Sequence, residues 1–192
     1  GSFYTARSNF IDALKILEKL VQAKPKVSAY RVALSEAYLR FERVDEAAAT
    51  ALEAIELDVQ NPFAYYRLAK VYYEIAMYEE AVSALRKSVE LSPNVGEIYF
   101  LYGQTLSKMG NASQAIVNLR EAVRLMPDYT PALYTLGKAL NDDARFAEAV
   151  EPLTKVDELN PNDSDIKSGL GLALMESGNY DRALKVLFEL DK

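Results

Sequence analysis

The chain has 192 residues, of which 50% are hydrophobic, so it is long and apolar enough to bury a core within one domain. Its 22 basic and 28 acidic residues give a net charge of −6, which disfavours nucleic acid as a partner because phosphates require a basic face. Cysteine and histidine are absent, which excludes disulfides, thiolate metal sites and the commonest general base. No apolar run approaches the roughly 20 residues of a membrane-spanning helix.

A period of 34 residues organises the chain. Alanine occupies one position of this period throughout: Ala13, Ala47, Ala81, Ala115, Ala149 and Ala183. Proline closes most periods, at Pro25, Pro93, Pro127 and Pro161, with Val59 in its place once. A period of this length indicates stacked supersecondary repeats rather than a globular core.

Taken in chain order, residues 1–2 are typical of a tag remnant and residues 3–27 supply a partial repeat. Five further repeats follow within a single predicted domain of residues 3–192: 28–61, 62–95, 96–129, 130–163 and 164–192. Each is predicted to contain two amphipathic helices, here called helix A and helix B, because apolar residues recur at helical spacing. In repeat 96–129 we predict helix A over 96–108 and helix B over 113–125, with Gly110 in the turn in a left-handed conformation. Gly178 is predicted to do the same in the last repeat.

These columns resemble the tetratricopeptide-repeat (TPR) pattern. The fullest match runs through Tyr99, Tyr102-Gly103, Leu106, Ala115, Leu119, Ala122 and Pro127. The resemblance covers essentially the whole chain and implies an all-α, right-handed superhelical solenoid of about five and a half repeats. It also implies a concave groove, lined by the A helices, that holds a peptide or helix of a partner protein. Arg31 and Lys167 depart from the pattern, since each replaces the aromatic residue that opens helix A, and either looser local packing or a different covering of the next repeat is expected there.

Helix geometry identifies the side chains that face this groove, on the side of helix A opposite helix B. The predicted partner-binding residues are Phe63, Tyr66, Arg67, Lys70, Tyr73, Phe100, Leu101, Gln104, Lys108, Tyr134, Lys138 and Asn141. Tyr66, Phe100 and Tyr134 follow Val32 at steps of one repeat and are predicted to be aromatic anchors, with positive charge beside them. The predicted partner is a protein segment with apolar anchors and some acidic residues. The alternative is that tyrosine is common at these repeat positions and serves packing alone.

Some TPR proteins clamp a C-terminal carboxylate with a fixed set of lysine, asparagine and arginine residues on successive A helices. In one register the corresponding positions hold Val32, Glu36, Arg67, Glu97 and Leu101; in the next they hold Tyr66, Lys70, Leu101, Pro131 and Thr135. Neither register reproduces the clamp, so a carboxylate-clamp co-factor of chaperones is not predicted.

No phosphate-binding glycine loop, nucleophile elbow or metal-ligand spacing is found, so neither an enzyme nor a cofactor is predicted. Paired carboxylates such as Glu79-Glu80 and Asp142-Asp143 fall in turns or on exposed helix faces, where acid–base catalysis is not expected. Two other functions stay open: an accessory region of a larger enzyme or polysaccharide-export assembly, and a self-assembling structural scaffold.

The last helix, predicted over residues 181–190, is apolar on more than one side. Leu184 and Phe188 are therefore candidates for an end-to-end contact, or for contact with a further repeat. The absence of cysteine is compatible with a bacterial cytoplasm or periplasm alike, so the compartment is not predicted.

Overall fold

The structure is a computed structural model that describes the backbone of residues 2–188 and the side chains of residues 10–188. Leu190, the predicted end of the last helix, lies outside the described residues. Eleven α-helices and no strands occur in the described range, so the all-α prediction is confirmed. The helices are α1 (Ser2–Ala23), α2 (Ser28–Arg40), α3 (Val44–Leu57), α4 (Pro62–Glu74), α5 (Tyr78–Leu91), α6 (Gly96–Lys108), α7 (Ala112–Leu125), α8 (Thr130–Asp142), α9 (Phe146–Leu159), α10 (Ser164–Glu176) and α11 (Tyr180–Phe188).

The helices form two compact units, which divide after Pro93. In the first unit, α2 packs on α3 and α4 on α5, while α1 packs on α2 and α3 on α4. In the second unit, α6 packs on α7, α8 on α9 and α10 on α11, and each pair contacts the next. The A helices are therefore α2 and α4 in the first unit, and α6, α8 and α10 in the second.

The turns between paired helices share one backbone conformation. The residues with positive φ are Glu42, Ala76, Gly110, Ala144 and Gly178, each one repeat after the last. The prediction for Gly110 and Gly178 is confirmed, with φ values of 74° and 82°. In the other three turns a residue with a Cβ takes the same left-handed conformation, which glycine adopts at lower cost.

The alanine column lies where helix A and helix B approach each other. Ala47, Ala81, Ala115 and Ala149 are fully buried and Ala183 is nearly so, whereas Ala13 is exposed. Ala13 differs because α1 is one continuous helix of 22 residues, which runs through residues 7–9 where the period places a turn. The turn that the period places there is therefore absent, and residues 2–23 form a single helix.

Glycine in helix A permits the closest helix contacts of the second unit. A Cβ built on Gly137 would lie 2.4 Å from Cγ of Leu153, and one on Gly103 would lie 2.5 Å from Cγ of Leu119. No real Cβ tolerates such distances, so the small residue lets helix B seat its leucine against the backbone of helix A.

The two departures from the aromatic position are packed by ion pairs. Arg31 Nε lies 2.8 Å from Glu53 Oε2, and Arg31 also donates to the carbonyl oxygen of Pro25. Lys167 is 4% exposed, and its Nζ lies 3.2 Å from Asp157 Oδ1. The expectation of looser packing at these positions is wrong, because each cation buries its stem and meets a carboxylate on a B helix.

Candidate functional site

The exposed sides of the A helices form the candidate site, here called the A-helix faces. Phe63 stands farthest into solvent, with 45% of its surface exposed, while Tyr66, Tyr73, Phe100 and Tyr134 are half-buried. Gln104 and Asn141 are also half-buried, and Lys108 and Lys138 are exposed. Each A-helix face therefore offers rings and polar groups together.

Leu101 is the exception among the predicted residues, because it is only 6% exposed. It occupies the same repeat position as Arg67 and Thr135, at the edge of the face. Polar side chains at this edge keep contact with solvent, whereas the apolar leucine turns into the core. Its assignment as a partner contact is therefore corrected.

In the first unit, charged side chains of α2 and α4 converge on Glu36. Arg67 Nη2 lies 2.5 Å from Glu36 Oε2, and Arg40 Nη2 lies 3.0 Å from Glu36 Oε1. Burial raises the pKa of Glu36, but the hydrogen bond from Arg40 and the charges of Arg67, Arg40 and Lys70 outweigh it, so the net pKa is lowered. Three cations thus act on this one carboxylate.

Aromatic contacts hold part of the same face in place. The guanidinium carbon of Arg67 lies 5.3 Å from the centre of the Tyr66 ring, a cation–π contact. The rings of Tyr73 and Tyr78 are 5.8 Å apart at a tilt of 59°. Residues of α2 and α4 also border an open cavity of about 440 Å³, which is lined by Glu36, Leu39, Arg40, Glu42, Val44, Lys70 and Glu74. Arg67 is therefore positioned by neighbours on both α2 and α4.

In the second unit, Phe100 packs against the loop that precedes α8. Its ring meets that of Tyr129 edge to face, with centroids 5.2 Å apart. This contact covers part of the Phe100 ring, which was predicted to contact a partner. Of the predicted anchors in this unit, Tyr134 therefore has the more open surroundings.

Two open cavities adjoin Tyr134. One, of about 350 Å³, is lined by Tyr134, Lys138, Asn141, Asp142, Leu153, Asp165, Ser168, Gly169 and Leu172. The other, of about 490 Å³, is lined by Thr130, Pro131, Tyr134, Val156, Asn160, Asp163, Asp165 and Ile166. Asn141 Nδ2 donates to the carbonyl oxygen of Gly169 at 2.9 Å and so ties α8 to α10. Tyr134 and Asp165 border both cavities and lie at their junction.

The surroundings of Tyr134 are acidic. Burial raises the pKa of the Tyr134 hydroxyl, and the negative charges of Asp165 and Asp163 raise it further. Sequence reasoning missed both aspartates because they lie at the boundary between two repeats, Asp163 as the N-cap of α10 and Asp165 in its first turn. A turn residue such as Asp163 carries no helical periodicity, so its nearness to Tyr134 needs the structure.

The last helix, α11, exposes Leu184 and Phe188, and their end-to-end contact stays a prediction. No group of side chains suited to hold a metal ion is found among the described residues. In the same range, each helix is too short or too polar to cross a membrane.

Profiles of known families match most of the chain. The family described as "Anaphase-promoting complex, cyclosome, subunit 3" matches residues 6–88. Two tetratricopeptide-repeat families match residues 96–129 and 140–192. No curated protein sequence matches the chain.

Solved structures share the fold. YrrB, described as "a TPR protein with an unusual peptide-binding site", is 24% identical over 91% of this chain and 90% of its own, with a TM-score of 0.79. MamA is 23% identical over 85% of this chain and 89% of its own, with a TM-score of 0.76. MamA from Desulfovibrio magneticus RS-1 is 21% identical over 85% of this chain and 92% of its own, with a TM-score of 0.75. At these identities the likeness concerns the fold.

Paired helices at a step of 34 residues, with small residues at the pair contact and open A-helix faces, define a helical-repeat protein. The chain belongs to the tetratricopeptide-repeat family.

Proposed function

We propose that the chain is a protein-binding scaffold whose A-helix faces hold a segment of a partner protein. The observation that carries this proposal is that, within each repeat, the residues that pack the two helices together differ from those that face solvent. Small residues make the contact between helix A and helix B, so the large rings at Phe63, Tyr66 and Tyr134 are left on the outer side of helix A, where Tyr134 lines an open cavity. Partly exposed aromatic rings with polar neighbours are typical of interface hot spots. The proposal includes no reaction, and YrrB, which shares the fold, is described as having a peptide-binding site.

In the first unit the partner segment places an apolar side chain against Phe63 and Tyr66 and an acidic one near Lys70. Arg67 is already held by Glu36, so it contributes mainly by orienting the ring of Tyr66. Lys70 has no carboxylate within ion-pair distance among the described residues, and it lines the neighbouring cavity with Arg40. Glu42 and Glu74 line the same cavity, so the preference for acid is confined to the immediate surroundings of Lys70.

A random library of 12-residue peptides displayed on phage, selected on the full chain, tests the proposal. We expect recovered peptides to bind in solution, measured by fluorescence anisotropy. A Phe63→Ala and Tyr66→Ala double variant should weaken those bound to the first unit by at least about tenfold, as expected for two hot-spot rings.

Leu52→Ala is the matched control, because Leu52 is also 45% exposed but lies on helix B of the first unit. The double variant must keep its helical circular dichroism. Peptides that bind tightly yet respond to no A-helix substitution in either unit would exclude these faces as the binding site.

A further inference from the structure

Tyr66 and Tyr134 occupy equivalent positions two repeats apart, but their neighbours differ. Tyr66 is followed by Arg67, which stacks over its ring and pairs with Glu36. Tyr134 is followed by Thr135, whose hydroxyl donates to the carbonyl oxygen of Pro131 at 2.7 Å. Within the described residues no cation stacks on Tyr134, so the cation that the first unit supplies for itself is missing at this ring.

The carboxylates required to balance such a cation are present. Asp165 lines both cavities beside Tyr134, and Asp163 and Asp142 each line one of them. Asp163 Oδ1 accepts the backbone N–H groups of Asp165 and Ile166 at 3.0 and 3.2 Å, so its position is set by the start of α10. None of the three carboxylates forms an ion pair with a described residue, and Lys138 is the one cation that lines these two cavities.

An apolar surface adjoins these charges. Leu172 is exposed on α10 and lines the cavity of about 350 Å³ together with Tyr134. Pro131 and Ile166 line the cavity on the other side of Tyr134. A segment lying across Tyr134 therefore meets apolar groups on both sides and an excess of negative charge between them.

We infer that this surface, here called the Tyr134 groove and formed by Tyr134, Lys138, Asn141, Asp165, Ser168 and Leu172, binds a partner segment in which an arginine neighbours an apolar residue. The guanidinium takes the place over Tyr134 that Arg67 takes over Tyr66, and Asp165 acts as its counter-charge from the following A helix, whereas Glu36 acts on Arg67 from the preceding one. Arginine suits this place better than lysine, because its planar group stacks on a ring while its N–H groups reach a carboxylate. The apolar neighbour packs against Leu172. The inference rests on the proposed function, and it gives the second unit the charge preference opposite to that of the first.

The test uses peptides from the random 12-residue library selected on the full chain, sorted by whether Tyr134→Ala weakens their binding. Peptides that depend on Tyr134 should contain arginine beside an apolar residue, and replacing that arginine by glutamine should weaken binding at least about tenfold. Asp165→Asn should weaken the same peptides several-fold. Asp181→Asn should leave them unchanged, because Asp181 is likewise an acidic residue in the first turn of its helix but lies on α11.

Thr135→Arg is a more direct test, since it places next to Tyr134 the arginine that Tyr66 has in Arg67. It should lower the affinity of the arginine peptides at least about tenfold while helical circular dichroism is retained. The inference is overturned if the Tyr134-dependent peptides lack arginine, if Thr135→Arg and Asp165→Asn leave their affinity unchanged, or if no peptide depends on Tyr134. Peptides that depend only on Phe63 and Tyr66 would overturn it while leaving the proposed function intact. A selection that recovers no peptide dependent on either unit would count against both.

Discussion

The buried pair of Lys167 and Asp157 provides the most demanding test of how this fold is held together. Lys167 is 4% exposed, and the side chain of Asp157 is 19% exposed. Replacing Asp157 by asparagine keeps the shape but removes the negative charge 3.2 Å from the ammonium group. Breaking a buried pair in this way costs about 3–5 kcal/mol, and we expect about 3 kcal/mol because water reaches the aspartate side.

The reverse comparison separates charge from packing. A Lys167→Met and Asp157→Asn double variant removes both charges of the pair together. Its free energy of unfolding should lie within about 1 kcal/mol of the parent, since removing both charges of a buried pair also removes the cost of taking them out of water. The cycle formed with the single variants should then give a coupling of about 2–3 kcal/mol.

The assay is urea unfolding followed by circular dichroism, with amide hydrogen exchange of α10 measured in parallel because helical repeats can unfold in parts. Glu90→Gln is the control, since the Lys87–Glu90 pair at 3.1 Å is exposed and should contribute less than about 1 kcal/mol. If Asp157→Asn costs no more than Glu90→Gln, the ammonium group does not depend on Asp157 and the reasoning is refuted.

Two further predictions concern a turn and a titration. Ala76→Gly should raise the free energy of unfolding by about 0.5–1 kcal/mol, because relief of the left-handed alanine conformation outweighs the entropy cost of glycine. Gly110→Ala should lower the free energy of unfolding by a similar amount. The midpoints of urea unfolding check both. For Glu36, a pKa below the ordinary value of 4.5 means that its contribution to stability is present above the unfolded pKa and is lost as pH falls through the folded pKa. Stability measured between about pH 3 and 7 should therefore decline less steeply on acidification in Glu36→Gln than in the parent, and equal slopes would contradict the assignment.

The helices were predictable because each repeat signals its own start, turn and close contact. The predicted helix over residues 96–108 coincides with α6, and the one predicted over 113–125 differs from α7 by one residue at its start. Gly110 marked the turn because few residues adopt positive φ at low cost. The repeat period failed in α1, because it places a turn at residues 7–9 whereas no glycine interrupts the continuous helix over residues 2–23.

Which side chains share the A-helix faces was only partly predictable. Helical periodicity separates the contact side of a helix from its outer side, and this placed Tyr66 and Tyr134 outside the core. Periodicity cannot decide the edge of a face, where Leu101 turns inward and Arg67 does not. Nor can it show that Glu36 holds Arg67 across two helices, because that pair joins residues 31 positions apart.

The charge of each A-helix face follows from residues that the repeat leaves free to vary. Positions that carry the fold, such as Ala115 or Gly137, are constrained by contacts too close for a larger side chain. Position 67 and its equivalent 135 lie at the edge of the face, so arginine and threonine are both accommodated without a change in backbone. In the first unit Arg67 stacks on Tyr66 and pairs with Glu36. In the second unit no arginine covers Tyr134 from position 135, and the charges near Tyr134 are those of Asp163 and Asp165 at the start of α10. Under the proposed binding of an arginine at Tyr134, a change at one edge position alters which charge a partner must bring, while the helix pair beneath it stays the same.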